Sequence, residues 1–126
     1  MFDINNYCNL DFTIAKNYLL SFRYPWQALR ELKEFIYISG EGLVESEFDK
    51  VADGVWIHKT ADIAHSAVIN PPCIIDAGTK IRHCAFIRGS ALIGKNCVVG
   101  NSTEIKNSIL FDNVQVPHYN YIGDSI

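Results

Sequence analysis

The chain lacks what a membrane span, a secretion route or a polynucleotide partner would need. No apolar run approaches the roughly 20 residues that cross a bilayer. The start, Met1-Phe2-Asp3-Ile4-Asn5-Asn6, has neither a basic segment nor a long apolar one, so it is not a secretion signal. The expectation is a cytoplasmic protein. A formal charge of −3 supplies no broad basic field for nucleic acid, though it leaves room for a local basic pocket that takes a phosphorylated small molecule. Four cysteines, Cys8, Cys73, Cys84 and Cys97, include no C-x-x-C pair. Three fall inside a repeat where small residues recur, so buried reduced thiols are expected rather than a metal site or disulfides. What is present is ordinary: 126 residues, 48% apolar and 20% charged, enough for one domain with a modest core.

Two regions differ in periodicity. Residues 1–50 read as a helical leader, with short helices expected over about 11–22 and 26–39. Pro25 disfavours helical geometry at Tyr24 and presets a helix start near itself or Trp26. From there Trp26, Leu29, Leu32, Phe35 and Ile36 recur at spacings of three and four, an amphipathic stripe. Gly40 and Gly42 are expected to end it. The stripe implies packing without saying against what; the open N-terminal end of the following domain is one candidate.

Residues 51–126 carry a stronger signal. Ile57, Ile63, Ile69, Ile75, Ile81, Ile87, Ile93, Val99 and Ile105 stand six residues apart without a miss. Four residues after each of the first eight comes Ala61, Ala67, Cys73, Thr79, Ala85, Ala91, Cys97 or Thr103, each small or β-branched. One residue is then dropped, and the series resumes at Leu110, Val116 and Ile122. Neither a helix period nor a strand period produces this. It is an internal repeat. Six residues suit a short strand and a turn, and three such units close a triangular coil of 18. Aliphatic residues fill the inside, and coils stack at roughly 4.8 Å. The fold class is therefore mainly β, a parallel β-helix behind a short α-helical leader.

Stacking sets the candidate site. Arg88 and Lys106 are 18 residues apart and each follows an interior Ile, so both are expected to project from the same corner, one above the other. Two stacked cations repel, and an anion between them would relieve that; two solvated side chains that splay apart are the plainer alternative. His118, two positions after Val116, is also expected to point away from the core, and a histidine is a side-chain type that can act as a general base. His58, His65 and His83 fall in similar exposed turn slots and form no recognisable set.

The pattern Ile93-Gly94-Lys95-Asn96-Cys97-Val98 followed by Val99-Gly100-Asn101-Ser102-Thr103-Glu104 resembles the hexapeptide-repeat acyltransferases, whose coils are left-handed. Arg88, then Lys106-Asn107, then His118-x-x-Tyr121-x-Gly123-Asp124 resembles the acetyltransferase domain of the bifunctional N-acetylglucosamine-1-phosphate uridyltransferases and related sugar-1-phosphate nucleotidylyltransferases. The leader and the run Arg82-His83-Cys84-Ala85-Phe86-Ile87-Arg88-Gly89 look closer still to short bacterial proteins that have this β-helix and no nucleotidyltransferase domain. The resemblance implies that Arg88 and Lys106 hold a sugar phosphate and that Tyr121 helps position it. It implies His118 as the base for acetyl transfer from acetyl-CoA to an amino-sugar 1-phosphate. It also implies a homotrimer with sites between subunits, in which Arg88 and Lys106 face a neighbour's His118.

The match has limits. The chain has no L-x-x-G-x-G-T-R-type nucleotide loop, so the uridyltransferase half is absent. It stops at Ile126 partway through a hexad, as a truncated piece would. Later coils in the family supply an oxyanion-stabilising group and the acetyl-CoA site, so this chain is expected to bind poorly and not to catalyse. The alternative is a non-catalytic trimerisation or sugar-nucleotide-binding scaffold. A metal lyase of the γ-carbonic-anhydrase kind would need closely spaced histidines, and no H-x₄-H occurs.

Overall fold

The computed structural model describes residues 2–126. Two α-helices lead, α1 (Lys16–Leu20) and α2 (Ala28–Glu41), followed by strand β1 (Phe48–Ala52). A parallel β-helix of about 4 turns then runs to the end. Its first coil is β2 (Val55–His58), β3 (Asp62–Ile63) and β4 (Val68–Ile69). Its second is β5 (Cys73–Ile75), β6 (Lys80–Ile81) and the start of β7 (Phe86–Ile93). The end of β7, β8 (Val98–Val99) and the start of β9 (Glu104–Leu110) make the third. The end of β9, β10 (Gln115–Val116) and β11 (Tyr121–Ser125) follow.

The hexads stack as the repeat requires. On face I, Ile57 pairs with Ile75, Ile75 with Ile93 and Ile93 with Leu110. Face II stacks Ile63, Ile81, Val99 and Val116, and face III stacks Ile69, Ile87, Ile105 and Ile122. These aliphatics form one interior cluster, with Ile75, Ile87, Ile93, Val99 and Ile105 fully buried. From the second coil on, each corner turns through one left-handed residue. The columns are Gly78, Asn96 and Asn113; Cys84, Ser102 and Tyr119; and Ser90, Asn107 and Asp124. Short polar residues tolerate this conformation better than branched ones.

The leader's helices lie on the flank of the β-helix, while β1 pairs antiparallel with β2 at its first edge. The outward residues of face I, Trp56, Ile74, Leu92 and Ile109, are apolar and join Leu19, Ala28, Leu32 and Ile36 in a second buried cluster. Three sequence expectations change here. The first helix is only five residues long, because Thr13 is extended and a separate 3-10 turn occupies Leu10–Phe12. The second runs through Gly40, and Gly42 caps it with an ordinary right-handed backbone. Gly40 sits inside the helix because the Trp56 indole lies where its side chain would be. Trp26, assigned to the amphipathic stripe, is 58% exposed in a 3-10 turn and stacks on Tyr24.

The cysteines divide by slot. Cys73 and Cys97 occupy small interior positions and are buried, and burial raises both thiols above their ordinary range. Cys84, also expected to be buried, is exposed, because it is the left-handed corner residue rather than the inward one beside it. All four are free thiols. A thiol reagent under native conditions should therefore label Cys84 quickly, with Cys73 and Cys97 reacting only after denaturant is added. Rapid native labelling of Cys73 would contradict the stacking.

Candidate functional site

Face III carries the residues singled out in the sequence. Its outward column is Val68, Phe86, Glu104 and Tyr121, each paired in register with the next. One step further along lies the expected cation pair, and here the register departs from an 18-residue step. Ile87 pairs with Ile105, but Lys106 pairs with Gly89, and Ala91 with Ser108. Arg88 is the extra residue of a β-bulge. The residue dropped from the repeat after Ile105 is absorbed opposite it. Gly89 makes the bulge possible: its φ is +119°, and an added Cβ would lie 2.8 Å from the Pro71 carbonyl oxygen.

Arg88 and Lys106 thus share one end of one face, side by side rather than in strict column. Each also has a carboxylate. Arg88 Nη1 lies 3.5 Å from Glu104 Oε2, and Lys106 Nζ lies 3.6 Å from Asp124 Oδ2. Both pairs are long and open to solvent, so each holds its cation weakly. Asn107 Nδ2 donates to Asp124 Oδ1 at 2.8 Å, and that bond, with Lys106 nearby, holds the Asp124 carboxyl below the usual range. Tyr121 folds its ring and hydroxyl over Gly123, the residue paired with Lys106; a Cβ there would collide with the ring.

His118 lies at the other end of face III, at the corner between faces II and III. It is exposed, with its ring edge-on to Tyr119 at 5.4 Å between centroids. Its placement depends on Gly100, where a Cβ would lie 2.5 Å from the His118 amide nitrogen and 2.6 Å from the Pro117 carbonyl carbon. Asn120 anchors the same turn by donating to the Pro117 and His118 carbonyls. No direct contact joins His118 to Arg88 or Lys106 within the chain. The separation is a strand's width, on the order of 10–15 Å at about 3.3 Å per residue.

The histidines are arranged differently from the sequence expectation. His58 is half-buried in β2, with its ring edge-on to Phe48 and Nδ1 2.8 Å from the Thr60 hydroxyl. His65, His83, Asn101 and His118 each stand two residues past a paired face II residue, so they make one column up a corner. Counting steps of 18 and then 17 from His65 reveals this column in the sequence. Among the described residues, no group of three His, Cys, Asp or Glu side chains is arranged to hold a metal ion. Nor, among them, is any helix long and apolar enough to cross a membrane.

The stacked hexapeptide coils make the chain a parallel β-helical protein. Residues 71–126, just under half the chain, match the family model for the GMPPB C-terminal domain, a β-helical C-terminal region of the sugar nucleotidyltransferase kind. The match supports a left-handed coil and a nucleotidyltransferase-related β-helix. No curated protein gives a match to the chain.

Proposed function

We propose that face III binds a sugar 1-phosphate, and that the site is of the acyltransferase type. Arg88 and Lys106 hold the phosphate, the Tyr121 ring backs the sugar, and His118 is the general base. In that reaction the amine of an amino-sugar 1-phosphate attacks the thioester carbonyl of acetyl-CoA. An amide forms, the thiolate leaves, and His118 carries off the amine proton. The observation that supports the reading is the bulge, which sets Arg88 next to the Gly89–Lys106–Gly123 register, with the Tyr121 ring over Gly123. Face I is covered by the leader, so faces II and III are the ones available to neighbours. A homotrimer built on them would bring one subunit's His118 to another's cations; a monomer by light scattering at micromolar concentration would count against it.

A second reading, a scaffold without catalysis, is favoured by one feature. Each cation already faces a carboxylate, so Arg88, Lys106, Glu104 and Asp124 sum to no net charge. Calorimetric titration with glucosamine 1-phosphate and its N-acetyl form separates the two. The acyltransferase-type site predicts binding that weakens about tenfold in Arg88→Ala and in Lys106→Ala, as loss of one charged hydrogen bond of ~1.5 kcal/mol implies. His118→Ala should leave binding within about threefold. Asp124→Asn should tighten binding by roughly twofold to fivefold, because it releases Lys106 from a pair worth under ~1 kcal/mol. No heat with either sugar phosphate would leave the scaffold reading.

A further inference from the structure

A groove of about 460 Å³ runs along the outer side of face II beneath the last corner. It does not contain Arg88, Lys106 or Tyr121. Its polar side is Arg82, His83, Asn101, Gln115 and His118, and its apolar side includes Val98 and Pro117. No carboxylate is among the residues that line it. Arg82 differs from Arg88 in one respect that matters. Among the described residues no carboxylate lies within ion-pair distance of it, whereas Arg88 has Glu104 and Lys106 has Asp124. Asp62, which pairs in register with Lys80, borders a smaller hollow one coil below that Arg82 and His83 also line, and no ion pair joins it to Arg82.

We propose that this groove binds a phosphoryl-bearing small molecule, with Arg82 as the charged anchor and His83 and His118 as flanking donors. A guanidinium presents a rigid fork of donors that matches phosphate oxygens. The imidazoles and the Asn101 and Gln115 amides approach from the corner above and beside it, so donors come from several directions, as a tetrahedral anion needs. The volume lies in the range of small-molecule sites and exceeds that of one phosphate. Val98 and Pro117 supply an apolar wall for an organic portion. The groove is therefore a second anion site, on a different face from the first, and His118 borders both. It does not rest on the sugar-phosphate reading.

Inorganic pyrophosphate is the minimal probe, followed by NMR of the isotope-labelled full chain. Saturable shifts are expected at the Gly100 and Asn101 amides and in the rings of His83 and His118. Arg82→Ala should weaken binding at least tenfold, and Arg88→Ala and Lys106→Ala should change it by less than twofold. Arg82 is exposed and its backbone pairing with Val99 is kept on substitution, so this variant is expected to fold. His83→Ala, expected to weaken binding threefold or more, gives an independent second variant. Affinity unchanged in Arg82→Ala, the larger loss falling in Arg88→Ala, or no perturbation of face II at 10-fold molar excesses up to about 10 mM would overturn the proposal. Failure of the glucosamine 1-phosphate titration with success here would remove only the face III reading.

Discussion

Replacing Gly40 by valine should lower the stability of the fold by about 3 kcal/mol, the upper part of the range for overfilling a packed core. Alanine at the same position should already be destabilising, which reverses the ordinary sign. In a helix interior, Gly→Ala usually stabilises by up to about 1 kcal/mol through helix propensity. Here the new Cβ would overlap the Trp56 indole, and Trp56 is itself buried at 4% exposure between α2 and the β-helix. Neither side can give way without lifting the helix from Ile74, Leu92 and Ile109. Gly42→Ala is the control. Its backbone is right-handed and its Cβ would meet only the Ser39 and Ile38 carbonyl oxygens at 3.6 and 3.9 Å, so a change within about 0.5 kcal/mol is expected. Denaturant midpoints for the three variants check this. Stabilisation by Gly40→Ala would mean that the leader does not lie on face I.

Gly89→Ala should cost a comparable amount, about 3 kcal/mol, for a different reason. A φ of +119° is almost closed to residues with a Cβ, at about 1–3 kcal/mol of strain, and the Pro71 carbonyl oxygen 2.8 Å away adds a contact that must open. The bulge is then forced to move, and Arg88 moves with it. Sugar-phosphate binding should fall at least as far as in Arg88→Ala even under conditions where the variant is still folded. Ser90→Gly, next along the chain, should be neutral or slightly stabilising, since Ser90 holds a φ of +50° that glycine adopts freely. Thermal melts and circular dichroism distinguish the outcomes; a Gly89→Ala protein as stable as the parent would remove the bulge from the account.

The repeat was legible because period six admits few other structures. The step after Ile105 even announced a coil of 17 residues, as Ile93 pairing with Leu110 bears out. What the spacing could not assign is which neighbouring strand absorbs the mismatch. Arg88 and Lys106 are 18 apart in sequence, yet the bulge gives Lys106 to Gly89, and only a positive-φ glycine packed on Pro71 makes that choice. The docking of the leader was written in the sequence but in an unexpected place. Just before the interior residues of face I stand Trp56, Ile74, Leu92 and Ile109, all apolar. The same slots on face II hold Asp62, Lys80, Val98 and Gln115. A face that is apolar on both sides is a covered face. The passage of α2 through Gly40 to Glu41 before Gly42 caps it, and the exposed Cys84, were missed because Gly40 and Cys84 were given their usual roles, helix ending and burial. Tertiary contact decided the first and corner geometry the second. Arg88, Lys106 and Tyr121 lie on face III with His118 at its far corner, while the pairing of the cations with Glu104 and Asp124 was not read from the sequence because it depends on side-chain reach.

The most direct test of the face III site is an NMR titration of the isotope-labelled chain with glucosamine 1-phosphate. The bulge geometry predicts saturable amide shifts at Arg88, Lys106, Gly123 and Asp124, with Lys80 and Asp62 on the far face unmoved. Shifts scattered over the surface, or none along the rim between Gly89 and Gly123 at millimolar ligand, would show that these cations do not form an anion site.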